Sequence, residues 1–329
     1  MIEVKNLTKR YGNHVAINDI SFKLANGKIY GILGSYHSGK TTLLNMMTGC
    51  SSPSEGNVNI NGFDISKDPI RTKKIIGFLP DPVPLYPEMT AFEFLSFVAR
   101  AKGLAVDQAY RQIAEVIELV QLDDSRNKMI MNLPLQIKKR LGIAQALLGN
   151  PEIVFMDEPT SGLAPEDAGE MRDLIRKIGE FKTVILTSPD PSEIAGLCEQ
   201  VLILNEGSLI ANDTLDHLKS QTVPKFIITL SVKGDKETAI SILDQIDEIQ
   251  AFSDDPSKPA RRGDCHFRLE LKDESDPREK IVSNLIAGGC SVVSISLSDS
   301  FLDALFWELT QPNAEPAAQG GPEQEEAEE

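Results

Sequence analysis

No stretch of this 329-residue chain approaches the roughly 18 consecutive apolar residues of a membrane-crossing helix. Its start, Met1-Ile2-Glu3-Val4-Lys5, lacks the apolar run of a signal peptide, so a cytoplasmic protein, soluble or peripheral, is expected. Cysteine is scarce. Cys50, Cys198, Cys265 and Cys290 form no C-x-x-C pair, and the adjacent Cys265-His266 lacks the further ligands of a zinc site, so the four read as reduced packing residues. Positive charge is also in deficit: the formal net charge is −16, which argues against a nucleic-acid partner, because phosphate-backbone affinity comes from clustered Lys and Arg. The short basic runs Lys138-Lys139-Arg140 and Arg71-Thr72-Lys73-Lys74 read as solvated faces. What the chain does have is 41% apolar residues, enough for a sizeable core, and a length that suggests two domains.

The most informative stretch is Gly34-Ser35-Tyr36-His37-Ser38-Gly39-Lys40-Thr41 with Thr42 behind it. It follows the apolar run Ile29-Tyr30-Gly31-Ile32-Leu33 and leads into an apolar segment that stops at Gly49, which reads as strand, tight loop, helix and glycine stop. This is the G-x-x-x-x-G-K-[ST] phosphate loop in the context it requires. The glycines let backbone N–H groups close round an anion, and the helix start adds partial positive charge. Lys40 is placed to reach the outer phosphates and the Thr41 hydroxyl to ligate Mg2+. His37 stands inside the loop either as a phosphate contact or as a tolerated loop residue, since His visits positive φ more readily than most residues.

Further along, Ile153-Val154-Phe155-Met156-Asp157-Glu158 reads as a buried parallel strand that delivers carboxylates to the sheet edge where the phosphate loop lies. Upstream, residues 2 to 7 and 15 to 24 alternate as strands do, with Tyr11-Gly12 between them. Val58 to Phe63 looks like a hairpin about Asn61-Gly62, and Lys74 to Pro80 like a strand that ends at Asp81. Thr90-Ala91-Phe92-Glu93 is a capping box opening a helix, and a second periodic run covers Tyr110 to Val120, so residues from about 82 to 150 form a helical insert.

Taken together these motifs resemble the ABC-type ATPases, of the exporter class called ABC-2, over residues 1 to about 220. The resemblance implies an α/β P-loop NTPase fold with ATP and Mg2+ as ligands. It implies that Tyr11 stacks on adenine, Asp157 lies on the metal side and Glu158 polarises the attacking water. It also implies a transmembrane permease subunit contacted through the helical insert, whose aromatic residues otherwise pack its own core. A homodimer or a heterodimer with another ABC ATP-binding subunit is implied too, at the inner face of the cell membrane.

The chain departs from the family pattern at several places. Asp81 stands where a glutamine senses Mg2+ and water; a carboxylate can approach the metal but cannot donate a hydrogen bond. Pro134-Leu135-Gln136 replaces the serine and glycines of the signature, with Pro134 expected at the first helical position. Ala164 replaces an aspartate, and Pro189 replaces the histidine that contacts the γ-phosphate. These losses leave two readings open: an ATP-hydrolysing exporter subunit, and a pseudo-ATPase whose nucleotide occupancy sets the conformation of its complex.

The pattern restarts near residue 225. The order β-α-β-β-α-β through Ser296 suggests a ferredoxin-like α+β domain over residues 222–311, with a polar loop from Ser253 to Asp264 and a closing helix from Phe301 to Leu309. Residues 312–329 hold six acidic residues and no basic ones, which reads as a disordered tail.

Overall fold

Three strands, Ile29–Gly34, Ile153–Met156 and Thr183–Ser188, are buried at every residue and fix where everything else packs. β1 (Ile2–Tyr11) and β2 (His14–Leu24) pair antiparallel, and β3 (Ile29–Gly34) follows with every residue buried. After α1 (Lys40–Met47) come β4 (Glu55–Ile60), β5 (Phe63–Asp64), α2 (Pro69–Ile75) and β6 (Ile76–Leu79). The insert contributes α3 (Ala91–Ala101), α4 (Val106–Leu119) and α5 (Leu135–Leu147). Then follow β7 (Ile153–Met156), α6 (Pro165–Gly179), β8 (Thr183–Ser188), α7 (Pro191–Leu197), β9 (Gln200–Asn205), β10 (Ser208–Thr214) and α8 (Leu215–Gln221). The computed structural model describes residues 1–221, 226–255, 264–272 and 276–298, together with residues 302, 305, 306 and 309.

The central sheet runs β10-β9-β3-β8-β7-β6, with β9, β3, β8, β7 and β6 parallel. Side chains alternate between two cores, as strand geometry requires. Leu33, Val154 and Met156 face the helices of the insert, whereas Tyr30, Ile32 and Phe155 face α1 and the sheet β2-β1-β4-β5. Cover on both faces explains why β3, β7 and β8 read as apolar runs without alternation. Because the strands are parallel, the carboxyl ends of β3, β6, β7 and β8 emerge on one edge, and they bring Gly34, Asp81, Asp157 and Ser188 to it.

Several boundaries differ from the sequence reading. Lys74 and Ile75 belong to the last turn of α2, whose Pro69 occupies the first turn, and only Ile76–Leu79 pairs with β7. Thr90 and Glu93 form the expected capping box on α3. Pro134 is the N-cap of α5, at φ −63° and ψ 161°, not its first helical residue. The basic run around it is not a solvated face: Lys139 is 2% and Arg140 3% exposed. Cys198 and Cys290 are buried, but Cys50 is exposed.

The small domain contains β11 (Ile227–Lys233), α9 (Lys236–Leu243), β12 (Ile249–Asp254), β13 (Asp264–Leu271), α10 (Arg278–Ala287) and β14 (Ser291–Ser298). Its antiparallel sheet runs β12-β13-β11-β14, the order expected of a ferredoxin-like sandwich. Ser253, Asp254 and Asp264, expected in a loop, are in strands, and residues 256–263 of that expected loop lie outside the described residues. Residues 302, 305, 306 and 309 are helical, but Leu302 and Phe306 are fully buried in the core shared with Leu218 and Ile203, not in that of the small domain. Their helical spacing gives an apolar stripe that the larger core covers better. The tail at 312–329 lies outside the described residues.

Candidate functional site

Between β3 and α1 the backbone turns back on itself, with His37 at φ 67° and Gly39 at φ 102°. Only glycine enters that region without strain. At Gly39 a side chain is excluded twice over, since a Cβ would lie 2.7 Å from the Ala16 carbonyl oxygen. A Cβ on Gly34 would meet Ser38 Oγ at 2.3 Å. The start of α1 carries no side-chain cap and no acidic residue in its first turn, so its N–H groups and dipole face the loop. Ser38 Oγ is buried without a hydrogen-bond partner among the described residues. Lys40 is 4% exposed, and its Nζ donates to the carbonyls of Gly34 at 2.9 Å and Ser35 at 3.0 Å. Burial lowers its pKa, while Glu158 and Asp157 pull it back up.

The facing wall is built by the ends of β7 and β8. Asp157 is 2% exposed, and its Oδ1 accepts from Thr187 Oγ1 at 2.6 Å. Thr187 Oγ1 in turn accepts the Glu158 N–H at 2.9 Å. Glu158 sits at φ 41°, and its Oε1 stands 3.7 Å from Lys40 Nζ. Burial pushes the Glu158 carboxyl above its ordinary range; Lys40 opposes this, and Asp157 and Asp81 reinforce it.

Between these walls lies a cleft of about 360 Å³. Of the residues expected at the site, Tyr11, Tyr36, His37, Ser38, Gly39, Lys40, Thr41, Thr42 and Glu158 line it. Gly34 and Ser35 lie behind, as acceptors for Lys40, and Asp157 stands next to Glu158. Asp81 does not line the cleft and is 3.5 Å from Lys139 Nζ. Sequence reasoning missed His14 and Ala16, which line the cleft, and Thr187 and Lys139, which hold Glu158. For Lys139 a signal existed: with Gly142, Ile143 and Ala146 it falls on one helical stripe whose other members are small or apolar.

At the altered positions, Pro134 provides no side-chain cap, and Leu135 is 48% exposed. Gln136 Nε2 and Arg140 both donate to Glu170 Oε2, at 2.9 and 2.8 Å. Ala164 is the N-cap of α6 and likewise offers no side chain to it. Past Ser188, Asp190 caps α7, and the buried Glu193 carboxylate accepts from Ser188 Oγ at 2.6 Å and from Thr160 Oγ1.

A family model described as ABC transporter matches residues 17–161. The linearmycin resistance ATP-binding protein LnrL of Bacillus subtilis (strain 168) is 30% identical over 318 residues, which span 94% of this chain and 98% of that one. The chain belongs to the ABC transporter ATP-binding proteins. The bacitracin transport ATP-binding protein BcrA of Bacillus licheniformis is 31% identical, over 94% of this chain and 97% of its own. Among solved structures, a dimeric ATP-binding cassette in a post-hydrolysis state, bound to ADP and Pi, aligns with a TM-score of 0.59 at 26% identity. That alignment covers 65% of this chain and 99% of the other. The cleft of this ABC protein therefore lies in a P-loop NTPase domain of a kind that binds ATP. Among the described residues no helix is long and apolar enough to cross a membrane.

Proposed function

We propose that the chain is the ATP-binding subunit of an exporter-type ABC transporter that holds Mg-ATP and hydrolyses it slowly or not at all. The observation that carries the binding half is the buried Lys40 ammonium facing Glu158 across a cleft floored by an uncapped helix start. The orphaned Ser38 hydroxyl and the cradle at Gly34 and Gly39, too tight for a Cβ, fit a bound polyphosphate. In this reading Tyr11, 53% exposed at the mouth, stacks on adenine, and Lys40 exchanges its two carbonyl partners for phosphate oxygens. Thr41 and Asp157 hold the magnesium ion, which neutralises phosphate charge when bound. Asp81 is drawn towards Lys139, and Glu158 polarises the attacking water.

The second half rests on the altered ends. The proline N-cap of α5 has no hydroxyl to offer a phosphate, the following Leu135 and Gln136 carry side chains, and Pro189 has no donor. Losing one preorganised donor typically costs on the order of 100- to 1000-fold in rate, although such losses are not additive. A regular partner subunit leaves both composite sites impaired, as does a homodimer. The relatives named for linearmycin resistance and bacitracin transport support an exporter complex with a permease at the inner face of the membrane. The exposed Tyr110, Tyr86 and Phe97 of the insert suit contact with such a partner.

The test is phosphate release by the purified chain at saturating Mg-ATP beside a Glu158→Gln control, once nucleotide binding is established. Binding with release at background in both supports the proposal. Turnover that vanishes only in the control would make this a working ATPase that has replaced its signature and histidine.

A further inference from the structure

Lys139 makes contacts that the phosphate-loop chemistry does not require. It lies on α5, in the insert, yet is 2% exposed, a degree of burial that a lysine holds only with partners. Gly142, one turn on, lets the helix seat against β6: a Cβ there would lie 2.5 Å from Leu79 Cδ1. From that seat Lys139 Nζ donates to the carbonyl oxygen of Glu158 at 2.7 Å and stands 3.5 Å from Asp81 Oδ1. Asp81 marks the point where the chain leaves β6 for the insert. One ammonium thus joins the helix of the insert, the strand exit that leads into it, and the peptide of Glu158.

The Glu158 peptide is the one that needs holding. Its φ of 41° is a conformation that a residue with a side chain keeps only when its surroundings fix it. Thr187 Oγ1 takes its N–H on one side, and Lys139 takes its C=O on the other. Ser161 N–H shares the same carbonyl at 3.1 Å, so the turn after β7 is closed on the atom that Lys139 grips. With the peptide clamped, the carboxylate is left pointing at Lys40.

We propose that Lys139 is a positioning residue that couples the helical insert to Glu158, so that a displacement of α5 is passed through the Lys139–Asp81 pair to the carboxylate in the cleft. This deepens the nucleotide-site reading and rests on it for its consequence, but the coupling belongs to the chain itself. A lysine serving only to neutralise Asp81 would stabilise the fold without governing the Glu158 turn in particular.

The test is hydrogen–deuterium exchange on the full, nucleotide-free chain and its Lys139→Met, Lys139→Arg and Asp81→Asn variants, with binding of a trinitrophenyl derivative of ATP measured alongside. Lys139→Met is expected to speed exchange over residues 157–162 by about tenfold or more while residues 40–47 keep their protection. Lys139→Arg, which retains charge and donors, restores slow exchange, and the ATP derivative binds Lys139→Met within about threefold of the parent, because the phosphate loop is untouched. Unchanged exchange over 157–162, or an equal rise throughout the domain, overturns the proposal. If Lys139→Met does not fold, Asp81→Asn decides instead: it removes the ion pair and keeps the carbonyl bond, so a smaller rise confined to 157–162 supports the coupling and none overturns it. Failure of the parent chain to bind the ATP derivative would count against the nucleotide site, while the exchange result would still decide the coupling.

Discussion

Lys40 and Glu158 face each other at 3.7 Å, the ammonium at the floor of the cleft and the carboxylate on its wall. Neither is satisfied by the other alone. Lys40 spends its hydrogen bonds on the carbonyls of Gly34 and Ser35, and Glu158 is held above its ordinary carboxylate pKa chiefly by burial. Charges opposed across an open cleft make a site ready for a ligand that brings its own charge and cations.

Replacing Lys40 by Met tests that readiness. The variant takes the Lys40 donor from the buried Gly34 carbonyl and from the half-buried Ser35 carbonyl, which keeps the Ser38 N–H. This costs about 1–3 kcal/mol of stability, and the charge-assisted bonds to the ligand that are lost are worth roughly 1.5–3 kcal/mol. Nucleotide affinity is therefore expected to fall about 10- to 100-fold, measured by titration with a fluorescent ATP analogue against a chemical-denaturation midpoint for each protein. Unchanged affinity would mean that the phosphates sit elsewhere.

Gly39→Ala addresses the loop backbone. At φ 102° the new methyl is strained wherever it points, and it is aimed at the Ala16 carbonyl oxygen 2.7 Å away. A loss of about 1–3 kcal/mol is expected, since relief requires the loop to open and β2 to shift. Because that movement scatters the N–H groups of the cradle, nucleotide binding should be lost even at temperatures where circular dichroism shows the variant folded.

The phosphate loop, the strands that flank it and the Asp157-Glu158 pair were legible in the sequence because their signals are local. Glycine spacing fixes a turn, and an apolar run of four ending in acid fixes a buried strand end. Lys139 was legible only as a polar break in the small and apolar stripe of α5, and its partners Asp81 and Glu158 were not, because only the tertiary packing of α5 brings them near. The start of β6 was misplaced because Lys74 and Ile75 fit either a helix end or a strand start, and Pro69 settled the choice from six residues upstream. The helix at Leu302 and Phe306 read correctly as helix, but its amphipathic stripe does not say which core will cover it.

Glu193 gives the fold a predictable response to pH. Burial raises its pKa above 4.5, and the hydroxyls of Ser188 and Thr160 oppose the rise without cancelling it. A carboxyl with a raised pKa in the folded state binds more protons there than in the unfolded chain over the window between the two values. Its contribution to stability is therefore full below the unfolded value and is lost as pH rises through the folded one. Denaturation midpoints at about pH 5 and about pH 7 should show a decline with rising pH that is smaller in Glu193→Gln. An identical decline in both proteins would assign the dependence to other groups.

Restoring the signature is the sharpest test of why turnover should be slow. In Pro134→Ser/Leu135→Gly/Gln136→Gly, α5 gains a serine N-cap worth about 1 kcal/mol and takes two glycines into its first turn at up to about 1 kcal/mol each. It also loses the exposed bond from Gln136 to Glu170, so a net loss of roughly 1–2 kcal/mol is expected. That helix start does not line the chain's own cleft, and affinity for nucleotide should change little. Phosphate release should rise by about 100-fold at concentrations where two copies associate, because a hydroxyl and bare backbone N–H groups would then meet the partner's nucleotide. If the variant is folded and associated but release stays at background, the signature is not what limits hydrolysis. The missing donor would then be the one at the end of β8, where Pro189 has nothing to offer, and Pro189→His becomes the substitution to add.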